Sequence, residues 1–66
     1  MQTTRQFRLD KAARKSGGDK YAEITPSGEK PIMEFTYVNQ SVSRPSGATQ
    51  PVPVLVITID NLVQTN

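Results

Sequence analysis

The sequence predicts an all-β domain: a small antiparallel sheet of four to five strands, barrel-like or strongly twisted, closed on itself or completed by dimerisation. Three observations carry that expectation. Val54-Leu55-Val56-Ile57-Thr58-Ile59-Asp60 is the longest nearly unbroken apolar run, and its β-branched residues suit a pleated, packed surface. Earlier stretches of the chain alternate with the two-residue period of a strand. No stretch supports a long helix.

Residues Thr3 to Leu9 place Thr3, Arg5, Phe7 and Leu9 on one side and Thr4, Gln6 and Arg8 on the other, which predicts a first strand. Arg5 shares the face of Phe7, so it is expected at the sheet margin with its head in water. Asp10 to Gly18 has two readings. Asp10 can cap one helical turn that ends at Gly17, or the segment can be the loop of a wide hairpin. A turn this short is marginal alone, so residues 10–20 are expected to form a flexible basic connection with some helical character.

Lys20 to Thr25 predicts a second strand, with Ala22 and Ile24 on one face and Tyr21, Glu23 and Thr25 on the other. Thr25-Pro26-Ser27-Gly28 predicts a turn with Pro26 in its second position and Gly28 in its fourth. Pro31 to Val38 predicts a third strand. Its face of Met33, Phe35 and Tyr37 is the more apolar and is expected to point at the core; Pro31 stands where a strand tolerates a missing donor. Residues 39–53 hold three prolines, one glycine and little that is apolar, which predicts a long polar loop. Loops beyond about 12–15 residues are usually functional or disordered, so a mobile flap or an arm that orders on a partner is expected. The fourth strand is Val54 to Asp60, expected to be buried on both faces. After it, Leu62 and Val63 either continue the strand or fray.

Sixty-six residues make one small β domain, 1–66, burying only about 60% of what the unfolded chain exposes. Domains of this size lean on disulfides, metals or partner subunits. The chain has no cysteine and no histidine. Disulfides and thiol chemistry are thereby excluded, and the commonest metal ligand and neutral-pH proton carrier is missing. Association is the aid that remains. Burying the five apolar side chains of the fourth strand would contribute about 1.5–3 kcal/mol each, and two apolar faces exceed what one open sheet can hide. Closure into a barrel, or a second copy, is the expected solution. No signal-peptide pattern and no run near the ~20 residues of a membrane span is visible, so a cytoplasmic protein is expected.

The charge is polarised. Residues 1–20 carry Arg5, Arg8, Lys11, Arg14, Lys15 and Lys20 against Asp10 and Asp19, a net of +4, while residues 21–66 carry a net of −2. An ordinary solvated face that keeps edge strands apart accounts for such a cluster about as well as a phosphate-binding surface does. Ser16-Gly17-Gly18 adds backbone donors suited to an anion-binding nest. Single-strand binders combine a basic groove with exposed aromatic rings. Phe7 and Phe35 are assigned to the core, Tyr21 to the basic face as the ring that stacks a base, and Tyr37 to the strand end as a second candidate. Arg44, in the long loop, is the remaining cation placed to close over a phosphate backbone.

The favoured expectation is a non-catalytic, nucleic-acid-binding β domain, for single-stranded rather than duplex substrates. Arg5, Arg8, Lys11, Arg14, Lys15, Lys20 and Arg44 contact phosphates in it, and Tyr21 and Tyr37 stack. The alternative is an accessory or protein-interaction subunit that associates through strand 54–60 and a sheet edge. The scattered carboxylates and the absence of any nucleophile–base spacing argue against an enzyme, and no metal or cofactor is expected.

Overall fold

The computed structural model describes residues 2–61. The expectation for Leu62 and Val63 lies outside them. Four strands, β1 (Gln2–Lys11), β2 (Asp19–Ile24), β3 (Phe35–Val38) and β4 (Val54–Asp60), form one antiparallel sheet in the order β3-β2-β1-β4. The sheet is strongly curled, a half-barrel, with a single helical turn, α1 (Gln40–Ser43), as its only helix among the described residues. The fold class is therefore the one the alternation predicts. Three strands meander and the fourth returns beside the first, the strand order of a Greek key. No helix among the described residues is long and apolar enough to cross a membrane.

Register decides which residues face inward. Phe7 pairs with Glu23 on one side and Leu55 on the other, Leu9 pairs with Tyr21, and Tyr21 pairs with Thr36. Paired residues share a face, so Arg5, Phe7, Leu9, Asp19, Tyr21, Glu23, Leu55 and Ile57 all lie inside. Phe7 and Tyr21 are the fully buried hydrophobic side chains among the described residues. The crossover 39–53 closes over them. The Tyr21 hydroxyl donates to the Val52 carbonyl at 2.6 Å, Leu9 N–H donates to Pro53 O at 2.9 Å, and Val52 N–H donates to Ser43 O at 2.8 Å. Far from being an unpacked arm, this segment is the lid of the core.

Three expectations are corrected here. The 54–60 run is not buried on both faces: β4 is an edge strand, with Val54 47% and Val56 62% exposed. An apolar run specifies a strand but not its rank in a sheet, and β1 and β2 hold the centre. The third strand is shorter than 31–38, and it faces the other way. Thr36 and Val38 pair with Tyr21 and Asp19 and turn inward, so Phe35 and Tyr37 turn out, at 50% and 63% exposure. A strand's period is two, so fixing β2 by its buried polar groups fixes β3 whatever its hydrophobicity. The turn after β2 runs Pro26 to Glu29, closed by Glu29 N–H to Pro26 O at 3.1 Å. Gly28 stands third in it, at the left-handed φ of 84° that a type II turn requires there.

Two buried carboxylates organise the loops. Asp19 accepts from Arg44 Nη2 at 2.9 Å, Arg44 Nε at 3.2 Å, the Ser43 hydroxyl and Ala13 N–H at 2.7 Å. One side chain thus joins the 12–18 connection, β2 and the crossover. The Arg44 guanidinium, helped by Ser43 and Ala13, outweighs burial and holds the Asp19 carboxyl far below the usual carboxylate range. Glu23 Oε1 accepts the successive N–H groups of Ile32, Met33 and Glu34 at 2.8, 2.9 and 3.3 Å. Its Oε2 accepts from Arg5 Nε at 3.2 Å and the Thr25 hydroxyl at 2.9 Å. Burial pushes the Glu23 pKa up, but the Met33, Thr25, Ile32 and Glu34 donors more than offset it. Glu34 takes a φ of 59° to close this ring of donors.

Candidate nucleic-acid interface

The outer face of the sheet carries the exposed chemistry. Arg8 pairs with Val54 and with Ala22, and Ala22 pairs with Phe35, giving a row Val54–Arg8–Ala22–Phe35 across all four strands. The next row is Lys11–Lys20–Tyr37, brought into line by a bulge between Leu9 and Lys11. Phe35 and Tyr37 stand edge to face with centroids 6.2 Å apart, and Lys20 Nζ lies 4.7 Å from the Phe35 centroid. Two outward rings beside a cation bring together the parts that single-strand binders use, aromatic surface and positive charge. Asp10 lies 3.6 Å from Lys20, a partly exposed pair that leaves the ammonium accessible to an anion.

The 12–18 connection builds the walls. Gly18 lies so close to β3 that a Cβ there would meet the Tyr37 Cβ at 3.0 Å and the Val38 carbonyl at 3.1 Å. Gln40 Nε2 donates to the carbonyls of Lys15 and Gly17, at 3.3 and 3.0 Å, and Arg44 Nη2 to that of Ala13 at 3.2 Å. Tyr37 consequently stands between two clefts. One, of about 380 Å³, is lined by Lys11, Arg14, Ser16, Gly18 and Lys20 among others. The other, of about 530 Å³, is lined by Lys15, Ser16, Gly17, Asn39 and Gln40 among others.

The candidate residues thus divide. Arg8, Lys11, Arg14 and Lys15 are exposed and Lys20 is half-exposed; Lys11, Arg14, Lys15 and Lys20 line the clefts beside Tyr37, and Arg8 lies in the cross-strand row of Phe35. Three candidates are withdrawn from this surface. Tyr21 has no face open to a base; it is fully buried, and burial with the nearby Asp19 charge raises its pKa. Arg5, its side chain 11% exposed, is bound to Glu23 at 3.2 Å and Glu29 at 3.0 Å instead of reaching water. Arg44 is committed to Asp19, which also raises its pKa. Sequence reasoning passed over Phe35 as core; the signal that finds it is its one-strand offset from Lys20 once β2 and β3 are in register.

Scans against protein-family models, curated proteins and solved structures found no match to this chain. The geometry stands alone.

Proposed function

We propose that the protein is a non-catalytic binder of single-stranded nucleic acid, which lies on the outer face of the sheet with bases on Phe35 and Tyr37. Arg8, Lys11, Arg14, Lys15 and Lys20 receive its phosphates. The observation that supports this best is the pairing of two outward aromatic rings with a cation over one of them, beside two basic clefts. Both requirements of sequence-tolerant strand binding, a stacking platform and an electrostatic track, meet on one surface. A duplex keeps its base faces stacked inside the helix and offers such rings nothing to stack on.

The test is fluorescence anisotropy with a labelled single-stranded oligonucleotide at low salt, for the native chain and for Tyr37→Ala and Phe35→Ala. Each ring is expected to be worth about 1–3 kcal/mol of binding, a loss of about 5- to 150-fold in affinity. Circular dichroism should stay native, since neither ring is in the core. A native chain that binds no oligonucleotide refutes the proposal, as do ring variants that bind like the native chain.

A further inference from the structure

We infer that β4 pairs with β4 of a second copy, in antiparallel register about a two-fold axis at Ile57. The direction of the β4 backbone follows from its ladder with β1. Leu9 N–H donates to Pro53 O, and the ladder keeps one register from Gln2–Asp60 to Arg8–Val54. Antiparallel pairs alternate between bonded and non-bonded, so Leu55, Ile57 and Ile59 bond to β1. Val54, Val56 and Thr58 therefore turn their N–H and C=O groups outward, and among the described residues no strand meets them.

The two edges of the sheet are unlike. β3 is four residues long and so exposes few such groups. β4 is seven residues long and has no bulge, proline or lysine, the usual devices against edge pairing. From Val54 to Ile59 it is uncharged, so two copies meet without repulsion. With the axis at Ile57, Val56 bonds to Thr58 of the second copy and Thr58 to its Val56, matching outward donors to outward acceptors. On the inner face Ile57 meets Ile57 and Leu55 meets Ile59, adding apolar cover to a sheet whose core is thin. Antiparallel pairing also keeps the two Asp60 side chains at opposite ends. The result is a continuous eight-stranded sheet with both aromatic pairs on one face.

The native chain lacks cysteine, so single-cysteine variants report the register. Non-bonded pairs sit about 4.5 Å apart at Cα, within the range of about 4.4–6.8 Å that a disulfide spans. Under mild oxidation Ile57→Cys is expected to crosslink to itself, while Thr58→Cys, placed opposite Val56, is not. Light scattering of the native chain should give twice 7.3 kDa. Val56→Pro removes an outward donor at an edge position where a strand tolerates proline, and should give a monomer with a native circular dichroism spectrum. A native chain that stays at 7.3 kDa up to high micromolar concentration overturns the inference. So does a dimer that crosslinks at Thr58→Cys but not at Ile57→Cys.

Discussion

On the proposed reading, the salt dependence of oligonucleotide binding is set by how many cations are not held by a buried carboxylate. Of the seven placed on phosphates by sequence alone, Arg5 and Arg44 are held by Glu23 and Asp19, which leaves Arg8, Lys11, Arg14, Lys15 and Lys20. For single strands the slope of log K against log salt is about −0.7 per neutralised phosphate. Five contacts give about −3.5, a loss of about 130-fold between 50 and 200 mM salt. Seven contacts would give about −4.9 and a loss near 900-fold. Lys15→Ala should bring the slope to about −2.8, while removing the Arg5 charge should leave it unchanged. The assay is anisotropy titration at four or more salt concentrations, with each variant checked for folding. A slope near −4.9, or one that Lys15→Ala does not alter, refutes the assignment of the five.

Other consequences concern stability. Tyr21→Phe removes one buried hydrogen bond and leaves the Val52 carbonyl without that donor, costing about 1–3 kcal/mol in denaturant unfolding with oligonucleotide affinity unchanged. Phe7→Ala should cost about 3–5 kcal/mol; with Phe7 and Tyr21 the two fully buried hydrophobic side chains among the described residues, it is expected to abolish the cooperative unfolding transition. Asp19 and Glu23 have lowered folded pKa values, so their contribution is complete above the unfolded values of 3.8 and 4.5 and is lost as pH falls below them. Acid titration by circular dichroism should therefore show unfolding below about pH 4, with a shallower pH dependence in Glu23→Gln.

The strands were legible because alternation and β-branching are local properties. Thr3–Leu9, Lys20–Thr25 and Val54–Asp60 each lie within a residue or two of the strand found. On β1 the inward face was legible from Phe7 and Leu9; on β2 and β3 it was not, because there it follows from polar contacts distant in sequence. Asp19 and Glu23 look like surface carboxylates until Arg44 and the N–H groups of 32–34 arrive from elsewhere in the chain. Their burial commits Tyr21 to the core and sends Phe35 and Tyr37 outward, inverting the hydrophobicity argument on β3. The same contacts consumed Arg5 and Arg44. The exposure of Arg14 and Lys15 was legible because a run of cations beside Gly17-Gly18 favours water, although the backbone there is held by Gln40 and Arg44 from the crossover.

The strand order has a consequence for the route by which the chain folds. The β1–β2 and β2–β3 pairings join neighbours in sequence, whereas β4 reaches β1 across the length of the domain, Gln2 opposite Asp60. Loop-closure entropy places such a contact late, so the meander forms first with the β4 side of β1 vacant and Phe7 partly uncovered. Each meander can be completed by its own β4 or by that of another molecule, and concentration decides between them. Refolding yield, followed at rising protein concentration, should fall as exchange of the last strand between chains overtakes closure within one.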